Sequence, residues 1–208
     1  ISRITTAENK RFADFSYDKK FNRLISICET HTKEAVINEI VAIDINTGSI
    51  TVLISGNDFY ASPRLNHTGS QLCWQTWNHP NMPWDENELY LADIDSAGLL
   101  LKPTVITGGE QVSVFQPQWS PADILHYIAD DTGWWQLYRI INGKSEQLTN
   151  GDKEFGLPQW VFSQSSYAFL NKHEIICSYQ SNGQSTLAAL SLSDTPELHD
   201  LETPWQQF

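Results

Sequence analysis

At 208 residues, with 40% hydrophobic and 18% charged side chains, the chain is a folded protein with room for one substantial core, and disorder is excluded. Thirteen basic against twenty-five acidic residues give a net charge of −12, which argues against nucleic acid or an anionic membrane as partner, since both need clustered Lys and Arg. No apolar run approaches the roughly 18 residues of a membrane span. Eight Trp, seven Tyr and nine Phe lean the composition toward pleated, half-buried β structure. Cys28, Cys73 and Cys177 are widely spaced, lack a C-x-x-C pair and leave one thiol unpaired, as buried cysteines of a reducing compartment do. A cytoplasmic location is the corresponding expectation. The chain begins at Ile1, and an upstream natural start is expected.

In chain order, one pattern recurs: an aromatic or Pro lead-in, a short turn, then strand-like runs. FADFSYD at 12–18 leads into RLISICET, NEIVAID and SITVLIS, and PRLNHTG at 63–69 into QLCWQTW, ELYLADI and KPTVIT. PQWSPAD at 117–123 leads into ILHYIAD, WWQLYRII and SEQLTN, and PQWVFSQ at 158–164 into SYAFL, EIICSYQ, STLAALSL and a weak ELHDLE. Aligning Phe15, Leu65, Trp119 and Trp160 gives a repeat near the roughly 40–50 residues of a four-stranded propeller blade. The runs are short, β-branched and aromatic, and bounded by turn residues, with no capped helical period. The fold class is therefore all-β, a partial β-propeller of about four blades with four antiparallel strands each. The expected units are approximately 1–56, 57–110, 111–152 and 153–208.

Tight turns join the outer strands at 46–49 and 142–145, where Thr-Gly and Asn-Gly suit positive φ, and the inner strands at 67–70 and 121–123. Connections of an up-and-down sheet alternate between ends, so these turns share one face. The opposite face receives the longer connections: 78–87, 130–133 running into Trp134 and Trp135, and the between-unit loops 56–62, 108–116 and 151–157. Loops on a rigid scaffold are where binding residues concentrate, so this face is read as the contact face.

The stretches PRLNHTGSQLCWQTWNHPNMPWDENELYLADI and FQPQWSPADILHYIADDTGWWQLYRI resemble the propeller of bacterial prolyl oligopeptidase family serine peptidases, in the branch similar to acylaminoacyl-peptidases and dipeptidyl-aminopeptidases. The HPNMPWD segment followed by an L-Y-x-A-D strand carries most of the likeness, which covers roughly residues 56–162. Unit two has Asn66-His67-Thr68-Gly69 where the family favours Ser-Pro-Asp-Gly, and unit three lacks the final Gly; both departures touch turns. The resemblance implies a closed ring of seven or eight blades followed by an α/β-hydrolase domain, so the chain is expected to be a piece of such a protein, without that domain. Its implied role is to gate access and help bind a peptide substrate, with a C-terminal hydrolase domain as partner. Two other readings stay open: a non-enzymatic interaction propeller of the periplasmic Trp-Ser-Pro-Asp-Gly kind, and a metal-dependent propeller lactonase.

Catalytic residues are not found. Gly183-Gln184-Ser185-Thr186-Leu187 lacks the last Gly of a nucleophile elbow and enters a strand, and Gly143-Lys144-Ser145 lacks both the first Gly and the helix of a phosphate loop. Both read as hairpin turns. The six His have no metal spacing, so no metal and no cofactor is expected. The candidate contact residues are His79, Asn81, Trp84 and Asp85 in HPNMPWD, Trp134, and the pair Glu154 and Phe155, as substrate-binding or interdomain positions. The alternative for HPNMPWD is a proline-stiffened loop with Trp84 packing over a strand end. For Trp134 and Trp135 it is blade packing, with successive residues facing opposite sides. Asp85 or Glu86 is a candidate partner for a cationic amino terminus. An open arc also leaves sheet edges uncovered, and self-association through them is expected.

Overall fold

A computed structural model describes residues 3–204. Its strands form four sheets, each a four-stranded antiparallel meander in chain order. The first holds β1 (Lys10–Asp18), β2 (Arg23–His31), β3 (Val36–Asp44) and β4 (Ile50–Ser55), and the second β5 (Phe59–Leu65), β6 (Gln71–Trp77), β7 (Glu88–Ile94) and β8 (Leu100–Gly108). The third holds β9 (Val114–Trp119), β10 (Leu125–Ala129), β11 (Gln136–Ile141) and β12 (Lys144–Gln147). β13 (Tyr167–Asn171), β14 (Glu174–Ser181), β15 (Gln184–Ser191) and β16 (Leu198–Asp200) complete the fourth. The described residues contain no helix, so the all-β propeller reading holds.

Turn chemistry explains the hairpins. Asn142-Gly143 and Asn182-Gly183 each place both turn residues at positive φ, 52° and 72° in one, 51° and 75° in the other. That is the two-residue turn whose twist matches paired strands. Both look-alike motifs thus resolve into hairpins, with Ser145 in β12 and Ser185 in β15.

The core lies between sheets. Alternation along a strand sends neighbouring residues to opposite faces, so the second and third blades each feed two interfaces and the first and fourth one each. Ile25, Ile27 and Ile40 of the first blade meet Tyr60, Leu72 and Trp74 of the second. From the second blade's other face, Cys73 and Leu89 meet Trp119, Leu125 and Tyr127 of the third. Phe115, Ile128 and Leu137 then meet Tyr167, Ile175 and Cys177 of the fourth. All three cysteines are free and buried. Burial pushes the Cys73 and Cys177 thiols up to about 12, which keeps them protonated and inert.

β1 contacts β5, and β5 contacts β9, so the first strand of each blade is innermost. In the fourth blade the register of this strand shifts at Leu170 alone, and in the other three it breaks at a two-residue bulge, around Asp14-Phe15, Ser62-Pro63 and Gln116-Pro117. The leading residue of each is left-handed: Asp14 at φ 53°, Ser62 at 53° and Gln116 at 49°. These bulges carry the polar joints between blades. Asp14 Oδ2 accepts the Ser62 N–H at 2.7 Å, and Oδ1 pairs with Arg64 Nη2 at 2.7 Å. Trp119 Nε1 donates to the Arg64 carbonyl at 3.0 Å. Gln116 Oε1 accepts the Ser166 N–H at 2.8 Å, and its amide nitrogen donates to the Tyr167 carbonyl at 2.7 Å.

The alignment of Trp160 with Trp119 is corrected by the fold. Trp119 ends an innermost strand, whereas Trp160 lies in the irregular stretch before β13 and is 71% exposed. The physical reason is in the turns. After PQW at 117–119 the chain turns at once through Ser-Pro-Ala-Asp, but after PQW at 158–160 it must still lay down β13 before turning at Lys172-His173.

His126 links the third and fourth blades. It is 1% exposed, with Nδ1 3.0 Å from the Ile124 carbonyl, its ring edge-on to Phe169, and Nε2 without a partner. Burial, aided by the nearby Arg139 charge, lowers its pKa to about 4. The unfolded chain therefore binds a proton here from about pH 6.5 downward while the folded chain resists it, and stability falls as pH falls. This group alone should make the protein about 2 kcal/mol less stable at pH 5 than at pH 7. Urea unfolding at both pH values checks this, and His126→Gln should remove that part of the difference.

Candidate functional site

The long connections do gather at one end of the arc, and the 78–87 loop is fastened there by side chains of its own ends. Asn87, buried, donates its amide to the Pro83 and Val114 carbonyls at 2.7 and 2.9 Å and accepts the Val114 N–H at 3.0 Å. At the other end Asn78 Oδ1 accepts the Asp58 N–H at 2.8 Å, and Asp58 Oδ2 accepts the His79 N–H at 2.9 Å. Between them Asp85 Oδ2 accepts the Met82 N–H at 2.9 Å and closes a turn. Glu86 Oε2 accepts the Gln111 N–H at 3.0 Å, tying the loop to the next between-blade connection. Both carboxylates considered for a cationic amino terminus thus hold backbone N–H groups.

Fastening the loop builds an aromatic rim. Phe59 stacks on Trp77 with centroids 5.4 Å apart and meets the His79 ring edge-on at 4.8 Å. Trp84 packs against Trp160 at 4.3 Å, so the loop reaches the connection between the third and fourth blades. Met82, Trp160, Val161 and Phe162 stay exposed, and with Phe59, Trp77 and Pro83 they line an apolar cleft of about 370 Å³. Clustered exposed apolar side chains on a polar surface mark an interaction site.

Of the candidate residues, His79, Asn81, Trp84 and Asp85 share this loop. Asn81 is half-buried, its N–H donated to the Asn78 carbonyl. Trp134, Glu154 and Phe155 belong to a second cluster. The adjacent tryptophans divide: Trp134 is 38% exposed, while Trp135 packs edge-on against Phe115. Glu154 Oε2 accepts the Trp135 N–H at 2.9 Å. Phe155 is a correction. It is 1% exposed and packed against Tyr179 in the core between the third and fourth blades, so it offers no surface to a partner. A loop aromatic next to an acid reads the same in sequence whether it points out or in.

Trp160, Val161, Phe162, Phe59 and Trp77 were not anticipated as site residues. The available signal was the apolar triple 160–162, which no strand uses. Asn66, in the turn that departs from the family pattern, is 8% exposed, and its side chain accepts the Ser70 and Gln71 N–H groups. Among the described residues no His, Cys, Asp and Glu are grouped to hold a metal.

No protein-family model matches the chain, and no curated protein matches it. Solved structures do. A puromycin-hydrolyzing peptidase of Mycobacterium tuberculosis is similar over 95% of this chain at 29% identity and a TM-score of 0.85. A puromycin hydrolase is similar over 99% at 26% identity and a TM-score of 0.87. Prolyl oligopeptidase B from Galerina marginata, at 8% identity and a TM-score of 0.72 over 96% of the chain, shares the fold alone. The chain spans about a third of the length of the two hydrolases, 32% and 33%, and its fold is that of the propeller domain of prolyl oligopeptidase family peptidases.

Rim and core substitutions should separate cleanly. A Cβ on Gly156 would stand 2.5 Å from the Trp135 ring, so Gly156→Ala should destabilise by about 2 kcal/mol through overpacking. Trp160→Ala removes an exposed side chain and should cost less than about 1 kcal/mol. Chemical denaturation of the two variants measures both.

Proposed function

We infer that this chain is the non-catalytic propeller portion of a serine peptidase acting on peptides, and that its long-connection face meets the peptidase domain and governs what reaches it. The observation that carries this reading is the aromatic rim fastened by Asn87 and Asp58, on a scaffold shared with two puromycin hydrolases at 26–29% identity. A rim aromatic cluster suits both a domain contact and a peptide side chain, because it gives large apolar area at low entropic cost.

Chemistry is assigned to the part of the complete protein outside this chain. An activated serine needs a base within hydrogen-bond reach and a partner that orients the base. The serines of the turn motifs lack this: Ser145 Oγ accepts the Tyr127 hydroxyl at 2.7 Å, and Ser185 sits in β15. The propeller's contribution is access and binding. A reducing compartment fits the reading, in keeping with three free, buried thiols.

A fluorophosphonate probe tests the assignment. Incubated with the complete protein, it should label one serine outside residues 1–208 and none within them. Specific labelling of a serine in this chain would contradict the reading, as would a complete protein with no labelled serine.

A further inference from the structure

The rim cleft does not end at the rim. Gln159 and Val161 line both the apolar cleft and a second, polar pocket of about 170 Å³ on the inner side of the arc. That pocket is walled by the innermost strands β5 and β9, through Arg64, Gln116 and Gln118, and by Gln164 from the segment before β13. Resting on the peptidase reading, we propose that the two form one continuous subsite for an extended, neutral stretch of peptide. An aromatic or large aliphatic side chain enters the cleft, and the adjoining peptide groups lie along the glutamines.

Three observations select this occupant. First, the polar half is lined by neutral amides and carries almost no net charge, since its Arg64 is already paired with Asp14 at 2.7 Å; Gln116 is taken up by Ser166 and Tyr167, so the amides it offers are those of Gln118, Gln159 and Gln164. Neutral amides match a peptide backbone, whereas a phosphate or a free carboxylate would ask for an unpaired cation. Second, Gln159 Oε1 is buried without a hydrogen-bond partner at the seam between the two halves. A buried acceptor left unmet costs free energy that a peptide N–H would recover. Third, the site runs from the rim to the inner strands. A folded domain could lie over the exposed Trp160, Val161 and Met82, but only an extended chain follows the surface inward to Arg64 and Gln118. The apolar half excludes charge from that side chain, because a carboxylate or ammonium placed against Phe59, Trp77 and Phe162 would lose its water without a partner.

The test is calorimetric titration of the complete protein, its active serine blocked by the fluorophosphonate, with acetyl-Phe-Ala-Ala-amide, acetyl-Leu-Ala-Ala-amide and acetyl-Asp-Ala-Ala-amide. The Phe and Leu peptides should bind saturably, and the Asp peptide at least about tenfold more weakly. Trp160→Ala and Gln159→Leu should each weaken the Phe peptide by about tenfold, as loss of a central contact does, with unfolding midpoints close to the parent's. The proposal is overturned if the Phe and Asp peptides bind equally, if both variants bind as the parent does, or if no peptide binds because another domain fills the cleft. The peptidase reading fails by a different result, the serine labelling pattern, so the two can be told apart.

Discussion

The joint between neighbouring blades is the interaction on which the rest of this structure depends. A lone four-stranded meander has two apolar faces and cannot bury either. Stacking blades face to face covers them, which is why Ile25, Trp74, Tyr127 and Phe115 are all nearly inaccessible although each lies in a different sheet or faces a different neighbour. Apolar contact is non-directional, however, and does not by itself set the angle between blades. That is set at the innermost strands. A left-handed bulge residue turns a polar side chain toward the next blade, so that Asp14 holds Ser62 and Arg64, and Gln116 holds Ser166 and Tyr167. Backbone strain at a few residues is the means, and a fixed blade geometry is the result.

Function follows from where this leaves the loops. With blade angles fixed, the tight turns project to one side and the long connections to the other, and loops from non-adjacent blades come within reach of each other. Trp84 of the second blade thus meets Trp160 of the connection between the third and fourth blades. The bulged strands also supply Arg64, Gln116 and Gln118 to the inner pocket. The residues that join the blades and those that shape the proposed peptide path are therefore partly the same, and altering one set alters the other.

Much of this was legible in the sequence. The strand runs, the Asn-Gly turns and the all-β class each follow from local chemistry. What escaped is of one kind. The alignment of Trp160 with Trp119 failed because Pro-Gln-Trp looks alike on a strand and off it, and only the position of the next turn separates the two. Loop membership places Phe155 among the contact residues but says nothing of side-chain direction. Its burial depends on Tyr179, a residue of another blade. The bulges at Asp14, Ser62 and Gln116 leave no trace in composition, since none is a glycine. Inter-blade geometry is non-local, and single-strand patterns do not encode it.

On the proposed function, the long-connection face and the inner strands together form the working surface, while the tight-turn face does not. Hydrogen exchange of the complete protein, serine-blocked, with and without a saturating neutral apolar peptide, tests this most directly. Exchange should slow in residues 57–64, 78–87, 114–118 and 158–166, with 46–49, 121–124 and 142–145 unchanged. Slowed exchange confined to those tight turns, or no change in either set, would contradict it.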